Sequence, residues 1–209
     1  MQAVLFDVDG VLIQSTTPAP EKSFLWSRSL AEDLGIQPDN FQKEFILKDF
    51  INKVLIGQED LHTALTRALP QLNYKGNVQD IIDYWLQKDT HLNHSLLTHV
   101  KKLKASGKVR LYLATNQEHN RAEYLMKTLG LNTYFEDIFH SARIGHIKPD
   151  NAYYTEVSNR LGNPSKPPIF FDDSPGNIGA AQAHGWQAYQ FDNTADIFKS
   201  DFIASLLAS

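Results

Sequence analysis

Five short apolar, β-favouring runs recur along the chain, at residues 3–8, 109–115, 137–141, 168–173 and 187–191. They constrain the fold more than any other feature. Continuous apolar runs that end in polar residues read as buried strands running into turns. From residue 109 onward they alternate with helical patterns at 119–129, 151–161, 175–184 and 195–207. A further helix at 95–106 precedes the second strand, with Gly107 where a C-terminal cap belongs. Asp150, after Pro149, is placed to cap the helix at 151–161. Strand-helix alternation of this kind specifies an α/β class fold, a doubly wound, Rossmann-like, mostly parallel sheet. With 209 residues and 42% hydrophobic composition, one such core is within reach.

Residues 14–89 break the pattern. They lack strand signals and carry helical patterns at 24–34, 41–50, 58–69 and 78–86, separated by loop signals such as Gly57 and Pro70. The expected organisation is therefore an α/β core domain formed by 1–13 and 90–209, with 14–89 inserted as an all-α cap domain. No run of like charges accompanies the net charge of −4, so composition gives no support for a nucleic-acid or membrane-surface partner. The absence of cysteine excludes disulfides, thiolate metal sites and a cysteine nucleophile. No apolar stretch approaches the about 18–20 residues that span a bilayer. The N-terminus lacks the basic region of a signal peptide. A cytoplasmic protein, monomer or homodimer, is the expectation.

Four clusters at predicted C-terminal strand ends carry chemistry. In an open α/β sheet that edge is where ligands bind. Asp7-Val8-Asp9-Gly10 places two carboxylates two residues apart, on the same side of an extended chain. They repel unless a cation or a shared proton relieves them, and a hard cation suits oxygen ligands. Taken alone, Asp-Gly at a strand end is also ordinary turn chemistry. Thr115-Asn116 offers a hydroxyl and an amide to phosphate oxygens, or a cap to the next helix. Lys148-Pro149-Asp150 supplies an ammonium that could neutralise phosphate charge. Phe170-Phe171-Asp172-Asp173 ends an apolar strand in two acids, which burial makes costly unless they are paired or metal-bound. Successive residues face opposite ways, so one of these two acids is expected to reach a metal directly.

As an ordered set, DVDGVL, ATN, KPD and FFDDS resemble the haloacid dehalogenase (HAD) superfamily over the whole core, and the helical insert looks like that family's C1-type cap. The resemblance implies a Mg²⁺-dependent phosphatase of small phosphorylated metabolites, a sugar phosphate among the candidates. Asp7 would be the nucleophile and Asp9 the general acid–base. Mg²⁺ would be held by Asp7, the backbone carbonyl of Asp9, and Asp173. Thr115, Asn116 and Lys148 would bind the phosphoryl oxygens, with Asp172 and Asn177 supporting from behind. Dehalogenases of the family lack an acid at the position of Asp9, which turns the resemblance toward an oxygen leaving group. A sugar phosphomutase is the alternative, although the stretch QSTTPAPEKSF lacks the cap histidine of β-phosphoglucomutase-like members. A dehalogenase-type hydrolase and a non-catalytic binding protein on the same scaffold rank lower.

The cap is read less sharply. Trp26, Arg28, Lys48, Lys53 and Trp85 are candidates for the cleft or for core and surface. His91, His94 and His99 lack tight ligand spacing and are not expected to hold metal. Residues 12–22 are expected to form a hinge and mobile flap.

Overall fold

The computed structural model describes residues 1–13 and 26–208. The expected hinge and flap at 12–22 lies outside them, save Leu12 and Ile13, as do the first two residues of the helix expected at 24–34.

Five strands form one parallel sheet in the order β3-β2-β1-β4-β5. They are β1 (Gln2–Phe6), β2 (Val109–Thr115), β3 (Asp137–His140), β4 (Ile169–Asp172) and β5 (Gln187–Gln190). β1 lies at the centre, pairing with β2 on one side and β4 on the other. Alternation along β1 explains the two-faced burial: Val4 and Phe6 enter one apolar cluster, Ala3 and Leu5 the other. The first cluster includes Leu96, Val100 and Leu103 of α5 (His94–Ala105) and Ile203 of α10 (Asp201–Leu207). The second is covered by Tyr153, Tyr154 and Val157 of α8 (Asn151–Arg160) and by Ile178 and Ala181 of α9 (Pro175–Ala183). Chain order reverses at β1, since β2 and β3 build outward on one side and β4 and β5 on the other. That reversal opens a crevice at the C-terminal end of β1.

The helical insert has its own apolar cluster. α1 (Leu30–Leu34) and α2 (Pro38–Phe41) lead into a π-helical stretch, Gln42–Val54, followed by α3 (Leu61–Ala68) and α4 (Val78–Lys88). The helix expected at 41–50 thus runs four residues further. Asp49 is buried within it because Lys53 and Arg67 both reach its carboxylate at 2.9 Å. The insert rests closely on the core at Gly57: a Cβ there would lie 2.1 Å from the carbonyl oxygen of Ala142, in α7 (Ser141–Ile144), and φ is +70°.

Three local expectations are corrected. The helix expected at 195–207 is two pieces, a 3₁₀ segment (Thr194–Lys199) and α10, because Ser200 is extended and its hydroxyl accepts from the Ile203 N–H to cap a new helix. Asp150 stands at the cap position of α8, but its side chain makes no capping hydrogen bond. β1 stops at Phe6, two residues early, because the chain turns: the Val8 carbonyl accepts from the N–H groups of Leu12 and Ile13, both at 2.8 Å.

Candidate active site

The ends of β1, β2 and β4 and the loop carrying Lys148 converge on one cleft of about 640 Å³. Asp7, Asp9, Thr115, Asn116, Lys148, Asp173 and Asn177 all line it. Asp172 lies beneath, fully buried.

Asp7 follows the last residue of the central strand, and its backbone N–H still donates to Phe171 of β4 at 2.9 Å. Its carboxylate receives the Val8 N–H at 2.7 Å and the Lys148 ammonium at 3.0 Å. Lys148 is buried and donates also to Asp172 at 2.6 Å and to the Ala114 carbonyl at 2.9 Å. One ammonium therefore satisfies two buried carboxylates and a strand-end carbonyl. Burial pushes the Asp7 carboxyl up to about 8, against the pull of Lys148, with Asp172 and Asp9 adding to the rise. Burial alone would lower Lys148, but the charges of Asp172 and Asp7 outweigh it and hold the ammonium charged.

Asp172 is held on both oxygens. One accepts the Ser174 N–H at 2.8 Å, the other accepts Lys148, and the Asn177 amide reaches both at 3.0 and 3.1 Å. Asn177 thus acts on Asp172 from the first turn of α9. The Asn116 amide donates to the Lys148 carbonyl at 2.9 Å, and its oxygen accepts the Lys148 N–H at 2.8 Å. Its side chain fixes the lysine loop, a different duty from the phosphate contact expected of it. Capping of the helix after β2 falls to Glu118, which accepts from the Asn120 and Arg121 N–H groups. Thr115, 1% exposed, stands at the end of β2.

Carboxylate oxygens of Asp7, Asp172 and Asp173 lie within 4.8 Å of one another. This all-oxygen set matches the donors a hard divalent cation takes. Gly10 makes room for it: φ is +81°, and a Cβ there would lie 2.2 Å from the Asp173 Oδ2. Backbone and side chain both require glycine.

Asp9 faces another way. Its carboxylate, half exposed, is gripped by the buried guanidinium of Arg121 through two bonds of 2.8 and 3.0 Å, and it accepts the Gln117 amide. Arg121 also donates to the carbonyl and carboxylate of Asp89, where the chain returns from α4, at 3.0 and 3.2 Å. Burial raises the Asp89 carboxyl despite that guanidinium. Arg121, Gln117 and Asp89 are site residues that sequence reasoning missed. In the sequence Arg121 is one charge on a short helix, α6 (His119–Glu123), which ordinarily means a solvated side chain. The one available hint was its position six residues beyond Thr115, within reach of the same strand edge.

Of the cap candidates, Trp26, Arg28 and Trp85 line the cleft and Lys48 and Lys53 do not. Those two lysines pair with Glu44 at 3.8 Å and Asp49 at 2.9 Å, each one helical turn away. Both tryptophans belong to the insert's own buried cluster. His91 lines the cleft, while the His99 ring packs against Phe198.

A family model described as haloacid dehalogenase-like hydrolase matches residues 1–185. Over 200 residues the chain is 24% identical to a phosphorylated carbohydrates phosphatase of Thermotoga maritima, covering 88% of this chain and 82% of that protein. A 106-residue stretch, 51% of the chain, is 30% identical to the drimenol cyclase drtB of Aspergillus calidoustus, and spans only 20% of that protein's length. A solved structure of a HAD family enzyme from Bacteroides thetaiotaomicron, in complex with magnesium and inorganic phosphate, superposes with a TM-score of 0.72. The two are 20% identical, with 91% of this chain and 93% of that one covered. At that identity the likeness establishes the shared fold. Among the described residues no helix is long and apolar enough to cross a membrane.

Proposed function

The chain belongs to the haloacid dehalogenase-like hydrolases, and from that premise we propose that it hydrolyses a phosphate monoester of a small metabolite through Asp7. The observation that carries this reading is the buried Asp7 carboxylate at the crevice of the sheet, fixed by Lys148 at 3.0 Å and flanked by Asp173 and Asp9. In its ionised form, which a cation bound by the neighbouring acids would favour, a carboxylate so held is positioned for nucleophilic attack. The Asp7 oxygen forms a bond to phosphorus as the bond to the alcohol oxygen breaks. Asp9, in its protonated form, gives that oxygen a proton and is left as the carboxylate. Water then attacks the phosphorus of the aspartyl-phosphate and loses its proton to Asp9, which frees phosphate and Asp7. Lys148 neutralises charge on the phosphoryl oxygens, and the Thr115 hydroxyl donates a hydrogen bond to them. Asp172 and Asn116 keep Lys148 in place, and Arg121 orients Asp9.

The acidic set suits Mg²⁺, which would be held by Asp7, the Asp9 carbonyl and Asp173. When bound, Mg²⁺ supplies positive charge against the phosphoryl oxygens and relieves repulsion among the acids. The Bacteroides relative, described as a complex with magnesium and phosphate, supports this choice of ion. The Thermotoga relative supports a phosphatase over the family's other chemistries.

The test is Mg²⁺-dependent hydrolysis of p-nitrophenyl phosphate, with Asp7→Asn as the control. Turnover is expected in the native protein and absent from the variant. Full activity in Asp7→Asn refutes the assignment.

A further inference from the structure

The cleft has two unlike walls. Its floor, at the strand ends, is charged. Among the described residues, the opposite wall comes from the helical insert and is mainly apolar: Trp26, Ile46, Phe50, Ile51, Leu55 and Trp85. The Trp26 and Trp85 rings stack with centroids 4.6 Å apart and 15° between planes, and Phe50 packs 5.0 Å from Trp85. This is a stiff apolar surface, braced by its own core. Along the π-helical stretch Ile51, which lines the cleft, is 36% exposed.

Ser29, Tyr84 and His91 also line that side, and the remaining polar groups there are largely engaged: Asp89 is held by Arg121 and the Thr90 hydroxyl donates to the Gln87 carbonyl. Lys88 pairs with Asp33 at 3.3 Å and lies 5.3 Å above the Tyr84 ring. Arg28 has a partner of its own. A polyhydroxylated alcohol laid against the six apolar side chains would leave the hydroxyls facing them without hydrogen-bond partners, which is costly. An alkyl or aromatic body would gain from leaving water. The volume, about 640 Å³, is that of a small-molecule pocket, far more than a phosphoryl group fills.

We propose that the substrate's alcohol portion is apolar, alkyl or aromatic, and that Ile51 and Leu55 help to select it. This rests on the phosphatase reading above and narrows it away from sugar phosphates. The floor takes the phosphoryl group and the insert takes the carbon skeleton, so one cleft reads both ends of the ester.

The experiment compares benzyl and hexyl phosphate with glycerol 3-phosphate and glucose 6-phosphate, all esters of alkyl alcohols, under Mg²⁺. An advantage in kcat/KM of at least tenfold for the apolar esters is expected, and Ile51→Asp should shrink it at least fivefold. In parallel, calorimetry measures hexylphosphonate against methylphosphonate on the same Mg²⁺-loaded protein, where the longer tail should bind at least tenfold tighter. Equal or better turnover of the polyol esters overturns the proposal, as does equal binding of the two phosphonates. If no ester is turned over, the phosphatase reading fails, and the phosphonate pair still decides whether the cleft prefers an apolar body.

Discussion

Lys148→Met tests the electrostatic core of the site. The native ammonium is 1% exposed and lies 2.6 Å from Asp172 and 3.0 Å from Asp7, whose side chains are 0% and 9% exposed. Methionine keeps most of the volume and removes the charge. Two buried carboxylates are then left without their cation, and breaking a buried pair in this way costs about 3–5 kcal/mol. For a chain of this length that corresponds to a Tm about 6–20 °C lower. The sign of the pH dependence follows from Asp7. Its carboxyl already stands at about 8 with the lysine present, and in the variant burial raises it further because Lys148 no longer opposes it. A group raised in this way stabilises fully below its unfolded pKa, and that stabilisation is lost as pH rises through the folded one. The penalty should therefore be larger at pH 8 than at pH 5.5. Mg²⁺ should raise the variant's Tm more than the native protein's, since cation binding to the folded state then relieves a larger repulsion. Calorimetric melting in EDTA and in Mg²⁺ at both pH values measures all of this. A penalty below about 1 kcal/mol at pH 8 in EDTA, or one that does not shrink at pH 5.5, refutes the view that Lys148 compensates two ionisable buried acids.

Arg121→Met releases Asp9 from its two-pronged hold and cuts the tie to Asp89. Steady-state kinetics on p-nitrophenyl phosphate should show kcat lower by about 10²-fold, the scale of a misplaced catalytic group, and an unchanged kcat would discount Arg121 as a positioning residue. Gly10→Ala forces a left-handed backbone costing about 1–2 kcal/mol and drives a Cβ into Asp173; titration of activity should show a higher Mg²⁺ requirement, and an unaltered one would argue that Asp173 is not a metal ligand. Gly57→Ala places a Cβ against the Ala142 carbonyl at the same backbone cost of about 1–2 kcal/mol, so thermal melting should fall by roughly 2–8 °C; an unshifted Tm would mean that this close approach of insert to core is dispensable.

Much of the site was legible because its signals are local. Each strand is an apolar run of a few residues, and each acid or hydroxyl stands where its run ends, so parallel alternation alone brings Asp7, Thr115 and Asp173 to one edge. Lys148, expected at a strand end, lies instead eight residues past β3, beyond α7, and reaches that edge from its loop. Gly10 was readable as a turn, although that it makes room for Asp173 was not. The side-chain duty of Asn116 was not legible either: it looked like a ligand-facing amide and spends its hydrogen bonds on the Lys148 backbone. Asn177, expected as a support from behind, reaches Asp172 with its amide.

By itself, the sequence determined the α/β class, the helical insert after the first strand, and the polar residue types that end the strands, because burial periodicity and strand-end polarity are properties of consecutive residues. Only the tertiary structure decided which charges are compensated and by whom. Lys148 serves two acids, 141 and 24 positions away in the chain, and Arg121 joins Asp9 to Asp89 across 112 and 32. It also decided that the insert turns an apolar wall to a charged floor. Pairings of that kind depend on distances through space between residues remote in sequence, and no local pattern of residue types encodes them.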